Sequence, residues 1–177
     1  MTGKWLTCIV LVLAVVVAVP ALAQQEKASV VQPSPEWQKL SALVGEWAGV
    51  FEMPDGKKLD GTLEVRMTGD KSALMHLMER DTPHEMITMI HPDGKRILAT
   101  HYCAAHNQPR MALVPSKSPN EVAFDFLDGT NIAPGDGHMK GVIFRFVDAD
   151  HHEEEWTSAD GAGKTSSAVF KYTRIKK

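Results

Sequence analysis

The sequence predicts an all-β protein, an antiparallel up-and-down β-barrel of about ten strands with one short N-terminal helix. From Glu46 onward, short apolar or alternating runs recur, and turn signals such as "MPDG", "HPDG" and "NQP" separate them. The connections are of hairpin length and no helical pattern interrupts them, so strands adjacent in sequence should be neighbours in the sheet. We therefore favour a closed meander over a sandwich, which usually needs longer crossover connections.

Residues 1–23 have the order of a secretory signal peptide. A lysine at position 4 precedes an apolar run from about Leu6 to Val19, and small residues at Ala21 and Ala23 follow a proline. The run is shorter than the ~20 residues that span a bilayer, which favours cleavage after Ala23 over an uncleaved anchor. We expect an exported protein, periplasmic or secreted, with no stable membrane insertion after cleavage.

Charge and cysteine content limit the partners and the source of stability. The 177 residues carry a formal net charge of −3 and no basic cluster, which argues against nucleic acid as the main partner. Cleavage of the leader leaves a single cysteine, Cys103, so no internal disulfide can form. The fold must therefore depend on its hydrophobic core.

A flexible linker and a short helix should precede the barrel. Residues 24–34, "QQEKASVVQPS", are polar and contain proline. Ser34 is a good N-cap and Pro35 suits the first helical position. Apolar residues then recur at helical spacing: Trp37, Leu40, Leu43 and Val44. This pattern predicts about ten residues of helix over 35–44, ended by Gly45, within a barrel domain that spans 35–177.

The predicted strands follow one another without an internal repeat or a low-complexity tract. Asp-Gly pairs that contain Gly94 and Gly129 are interpreted as hairpin turns. The predicted strands cover 46–53, 60–68, 72–79, 85–91, 95–104, 110–115, 121–127, 138–147, 152–158 and 166–175.

Several strings resemble a known group of barrels. In "LVGEWAGVF", Gly45 and Trp47 occupy the Gly-x-Trp pattern found at the start of the first strand of a lipocalin-type barrel. The strings "MITMIHPDGKRILATHYCAAHNQPRM" and "GHMKGVIFRFVDADHHEEEW" resemble a group of exported bacterial proteins of unassigned function with a lipocalin-like domain. The resemblance spans nearly the whole mature chain. It implies a calycin-type barrel and a ligand-binding role, with no established reaction attached.

The segment "THYCAAHNQPRM", residues 100–111, is the densest in reactive and hydrogen-bonding groups. Positions two apart on a strand share a face, so His101 and Cys103 should point together into the barrel. The stretch from His106 to Pro109 is interpreted as a bend that closes a hairpin, with Arg110 starting the return strand.

We expect the barrel to hold a small, partly apolar ligand, because small barrels keep space for one such molecule. The later strands offer an aromatic wall, and His138 and Lys140 should share a face with Val142 and Phe144. An interior filled by side chains alone remains open. The predicted ligand-binding residues are His101, Cys103, Arg110, His138, Phe144, Trp156 and Tyr172.

Two other chemistries stay open for the same residues. His101, Cys103 and His138 offer ligands to a divalent metal, or an axial histidine to haem, as in some lipocalin-like barrels, but the spacing matches no zinc motif. No cofactor is therefore assigned. An enzyme that uses Cys103 with a histidine base is less favoured, because a lone buried cysteine is more often a small hydrophobe. No catalytic residue is assigned either.

Two further patterns are interpreted structurally. In "HHEEEW", alternation places His152, Glu154 and Trp156 on one face and sends Glu153 and Glu155 to solvent. The methionines at 67, 75, 78, 86 and 89 are interpreted as adaptable core filling.

Overall fold

The computed structural model describes residues 34–52 and 56–176. The predicted signal peptide and residues 24–33 of the predicted linker lie outside the described residues. One short helix precedes ten antiparallel strands, which form a closed barrel. The predicted fold class is thus confirmed. No helix in the described part of the chain is long and apolar enough to cross a membrane.

Each strand matches a predicted one, with ends that differ by at most three residues. The elements are α1 (Pro35–Ser41), β1 (Gly45–Glu52), β2 (Lys58–Thr68), β3 (Ala73–Met78), β4 (Met86–Asp93), β5 (Arg96–Tyr102), β6 (Gln108–Val114), β7 (Glu121–Thr130), β8 (His138–Phe146), β9 (His151–Ala159) and β10 (Thr165–Arg174). Every strand pairs with the next along the chain, and β1 pairs with β10 to close the sheet.

Helix α1 begins as predicted but ends early. The Ser34 hydroxyl accepts a hydrogen bond from the backbone N–H of Trp37 at 3.2 Å, as an N-cap should. After Ser41, the N–H groups of Leu43 and Val44 bond to carbonyls three residues earlier, so the chain continues as a tight turn. Gly45 is not the helix end but the first residue of β1, with φ of 145°. A glycine suits this backbone because it has no Cβ.

Arg174 connects the helix end of the barrel to the last strand. Its guanidinium donates to the carbonyls of Ala42 and Val44, both at 2.8 Å, and to that of Ala149 at 3.0 Å. It also lies over the Trp47 ring at 4.0 Å, and the Trp47 indole donates to the Leu43 carbonyl at 2.8 Å. The Gly-x-Trp residues therefore help to close this end.

Side chains fill most of the barrel, so the alternative of a packed interior is largely correct. Alternation places one face of each strand inside, as on β5, where Ile97, Ala99 and His101 are buried. All ten strands contribute to the core, among them Trp47, Leu63, Leu74, Ile90, Ala99, Met111, Phe124, Phe144, Trp156 and Tyr172. The remaining space lies at the end away from α1.

Two sequence expectations on β7 and β8 are wrong. The register of β8 shifts between Met139 and Gly141, which breaks the alternation that was expected to align His138 and Lys140 with Val142. Lys140 is exposed, while Met139 packs against the core. Gly129 lies within β7 rather than in a turn, whereas Gly94 has φ of 60° in the turn between β4 and β5.

Candidate functional site

The barrel contains an inner cavity of about 220 Å³ at the end away from α1. Its wall combines thioethers, two aromatic rings, hydroxyls and one imidazole. The lining residues are Met78, Met86, His101, Met139, Trp156, Ser158, Ser166, Ser167, Ala168 and Phe170. A mostly apolar concave wall with few polar groups is the usual character of a small-molecule site.

His101 is the titratable group of this wall. It lies near the end of β5 with 1% of its surface exposed, opposite Thr88 on β4. The Thr88 hydroxyl and His101 Nδ1 are 2.9 Å apart, within hydrogen-bond distance, and the Trp156 ring lies 5.0 Å from the imidazole between centroids. His101 Nε2 is buried and has no hydrogen-bond partner within residues 34–52 and 56–176. His101 thus contributes a buried polar atom without a hydrogen-bond partner to a side chain that lines the cavity.

His101 is neutral at pH 7. Burial lowers its pKa to about 4, and the nearby charge of His76 acts in the same direction. A neutral imidazole offers either a donor or an acceptor at Nε2, according to its tautomer, and it can also ligate a metal.

A carboxylate cluster, composed of Glu154, His76, His152 and Trp156, lies beside the inner cavity. Glu154 Oε1 accepts hydrogen bonds from His76 Nε2 at 2.9 Å and His152 Nε2 at 3.0 Å. Its Oε2 accepts from the Trp156 indole at 2.8 Å. Glu154 is 0% exposed. The cluster therefore fixes the tryptophan that forms one side of the cavity.

Glu154 is held in its ionised form. Burial by itself would raise its pKa, but the charges and hydrogen bonds of His76 and His152 outweigh burial and lower the pKa below its usual value. A buried carboxylate is tolerated only when it is paired and hydrogen-bonded in this way. The ionised form explains how one side chain accepts three hydrogen bonds.

An outer pocket of about 460 Å³ adjoins the inner cavity. The two share Met139, Ser158 and Ser166 in their walls, so the outer pocket lies next to the inner cavity on the side of the barrel rim. The outer pocket is also lined by Cys103, Ala105, Gly137, His138, Ala159, Asp160, Lys164 and Thr165.

Cys103 and His138 lie in the outer pocket rather than beside His101. Strand β5 ends at Tyr102, and the chain then turns, with the N–H of Cys103 bonded to the Asn107 carbonyl at 3.1 Å. His106 adopts φ of 64° in this turn, which begins earlier than the predicted bend at 106–109. Gln108 and Pro109 already belong to β6. The early turn separates the two side chains that strand parity had placed together.

Arg110 does not reach the cavity. It lies on the outer face of β6, where it forms an ion pair with Asp128 on β7 through two hydrogen bonds, the longer at 2.6 Å. About half of its side chain is exposed. Arg110 therefore does not line the inner cavity, and its role as a ligand-binding residue stays a prediction.

The three predicted aromatic residues all face the interior, at different depths. Trp156 lines the cavity. Phe144 packs against His76, 5.9 Å away between ring centroids. Tyr172 lies deeper, stacked on His152 at 5.0 Å. The described residues contain no group of three or more histidine, cysteine, aspartate or glutamate side chains that could hold a metal ion, so His101, Cys103 and His138 do not converge as one site.

Of the carboxylate cluster, only Trp156 was among the predicted ligand-binding residues. Glu154, His76 and His152 were not. Alternation in "HHEEEW" was sufficient to place His152, Glu154 and Trp156 inside, and they are buried as expected. The partner His76 comes from β3, 78 residues earlier in the chain, and a pairing across the barrel leaves no local sequence signal. Glu153 and Glu155 lie on the outer face, paired with Lys171 and Arg145.

Comparison with known proteins shows likeness in fold. No family model matches the sequence, and no curated protein matches it significantly. The crystal structure of Rv2717c from M. tuberculosis is 15% identical with a TM-score of 0.57, over 82% of this chain and 100% of that one. A DUF3598-family protein of unknown function from Nostoc punctiforme is 15% identical with a TM-score of 0.53, over 77% of this chain. The match covers 48% of the Nostoc protein, about half its length.

Proposed function

We propose that this is an exported protein that binds a small, partly apolar molecule in the inner cavity, with His101 as the polar anchor. The observation that supports this most strongly is the buried Nε2 of His101, which has no partner in the described part of the chain and belongs to the wall of the cavity. An unsatisfied buried polar atom costs about 1–3 kcal/mol. A ligand with one complementary polar group removes that cost.

The size of the cavity limits the ligand. At about 220 Å³ it is smaller than a drug-sized site, which occupies roughly 300–1,000 Å³. The wall of methionine, tryptophan and phenylalanine favours an apolar or aromatic body, and methionine side chains adapt to different shapes. We infer a compact ligand, such as a single-ring molecule that carries one hydroxyl or amine group.

Haem is the second candidate, because a neutral histidine with a free Nε2 is a suitable axial ligand. The volume beside His101 favours the smaller molecule, since a macrocycle requires core side chains to move. A Soret band in the purified protein would identify the haem protein.

An enzyme based on Cys103 receives less support, because no imidazole in the described chain hydrogen-bonds to the thiol. The Cys103 sulfur accepts a hydrogen bond from the N–H of Ala105 at 3.5 Å.

A cavity-filling substitution tests the proposal with 4-fluorophenol as the probe, a single ring with one hydroxyl. Ala168 lines the cavity from β10, so A168L places a larger side chain in the binding space. We expect saturable one-to-one binding of the probe to the wild type, measured by ¹⁹F NMR. Binding should be lost in A168L, and weakened about ten-fold in H101L through the loss of one hydrogen bond.

V169L is the matched control for this experiment. Val169 is the next residue of β10 and faces the other side of the sheet, so the added volume does not enter the cavity. V169L should bind the probe like the wild type. Equal binding by A168L and the wild type would place the probe outside the inner cavity. No saturable binding by the wild type would contradict the proposal that the cavity takes a single-ring molecule.

A further inference from the structure

The inner cavity has an unusual concentration of sulfur. Three of its ten lining residues are methionines, namely Met78, Met86 and Met139, and His101 is the one lining residue with an imidazole. Thioether sulfur is a soft ligand that selects monovalent copper, and imidazole also suits copper. The chemistry of this wall therefore differs from that of a purely apolar cavity.

Strand register brings two of these sulfurs and the imidazole onto one part of the wall. Met78 at the end of β3 is directly opposite Met86 at the start of β4. Side chains in such opposed positions have Cβ atoms about 4.5–5.5 Å apart. His101 is opposite Thr88, two residues beyond Met86 and therefore on the same face of β4. Met78, Met86 and His101 thus occupy neighbouring positions on three consecutive strands.

Met139 completes the set from β8, through the irregularity already described. The register shift between Met139 and Gly141 changes which residues face inwards, and Met139 packs against the core opposite Ser158. Met139 also lines the outer pocket. The third methionine therefore belongs to the wall that the inner cavity shares with the outer pocket.

His101 and Trp156 supply the remaining features of a soft-metal site. The Nε2 atom of His101 is buried and unpartnered in the described chain, and Nδ1 is held by the Thr88 hydroxyl. A hydrogen bond at the ring nitrogen that does not bind the metal orients the imidazole towards the metal. The Trp156 ring also lines the cavity, and an indole face attracts a cation.

We propose that the inner cavity binds one Cu(I) ion through the sulfurs of Met78, Met86 and Met139 and Nε2 of His101. The site shares the inner cavity and His101 with the proposed function, and it goes beyond that function because the occupant is a metal ion rather than an organic molecule. It needs no carboxylate or thiolate ligand.

Anaerobic titration with Cu(I), in competition with bicinchoninate, tests the site. All variants carry Cys103→Ser, since the outer-pocket thiol would otherwise compete for copper. The C103S protein should bind one equivalent. The M78L/M86L variant should bind about 100-fold more weakly or worse, because it lacks two direct ligands while core volume is kept. H101L should lose binding as well, and X-ray absorption of the C103S complex should show sulfur and nitrogen neighbours around copper.

M75L is the matched control. Met75 is on β3 between the two inward positions His76 and Leu74, and its sulfur lies near Arg66 at 3.5 Å, away from the cavity. M75L should bind Cu(I) like the C103S parent. Failure of the parent to compete for Cu(I), or equal affinity in M78L/M86L, overturns the copper site. The 4-fluorophenol titration uses a different probe of the same cavity, so a protein that binds the phenol but does not compete for Cu(I) loses the copper proposal and keeps the proposed function.

Discussion

Replacing Glu154 by leucine is expected to lower the free energy of unfolding by about 3–5 kcal/mol, the cost of breaking a buried charged pair from one side. The carboxylate accepts from His76, His152 and Trp156, and all four side chains are buried. Leucine leaves three donors without an acceptor in a region that water does not reach. Urea unfolding at pH 7, followed by far-UV circular dichroism, measures the loss.

E153L is the control for this substitution. Glu153 precedes Glu154 on β9 but lies on the outer face, 3.7 Å from Lys171, with about a third of its side chain exposed. Exposed ion pairs of this kind contribute little, so E153L should change stability by at most about 0.5 kcal/mol. E154Q should lie between the two, because an amide oxygen still accepts part of the network. An E154L protein as stable as E153L would show that the carboxylate cluster does not stabilise the barrel.

Acidification is expected to destabilise the wild type more than H101L. The pKa of His101 is about 4 in the folded protein, against about 6.5 for an unfolded histidine. Between these values the unfolded chain binds more protons, so stability falls as the pH falls through 6.5 and the loss is complete near pH 4. The His101 contribution amounts to about 2–3 kcal/mol between pH 7 and pH 4.5.

The comparison of the two proteins isolates His101 from other titrating groups. Glu154 has a lowered pKa, so its contribution is lost as the pH falls below the unfolded value of about 4.5, in the same direction but mainly at lower pH. The wild type and H101L both lose the Glu154 contribution at low pH, so it cancels in the comparison. Urea midpoints at pH 7 and 4.5 provide the measurement. Equal losses in the wild type and H101L would mean that His101 is not held neutral by burial.

The barrel could be predicted from the sequence because its strands are joined by short hairpins. In a meander, neighbours in sequence are neighbours in space, so alternation along each strand decides which residues face inside. His101, Glu154, Trp156 and Tyr172 are buried as alternation predicts. Alternation no longer predicts which side chains face inside where the backbone departs from a regular extended conformation. The bulge near Lys140 and the turn after Tyr102 both do so, and they displace His138 and Cys103.

Alternation along strands and the pairing of successive strands do not predict contacts across the barrel. The Glu154–His76 hydrogen bond joins β9 to β3, which are not neighbours in the sheet, and its formation depends on the register of every pairing between them. The position of Arg110 outside the inner cavity has a similar cause. Its partner Asp128 is on the next strand, but only the register places both side chains on the outer face.

Native mass spectrometry of the protein purified from its own host shows whether the barrel retains a ligand. We expect a polypeptide that begins at Gln24, as cleavage after Ala23 requires, and that carries one small molecule, released on denaturation. The A168L protein purified in the same way should carry none, because its cavity is filled. A wild-type protein that has only the mass of the polypeptide would contradict the proposed ligand-binding function.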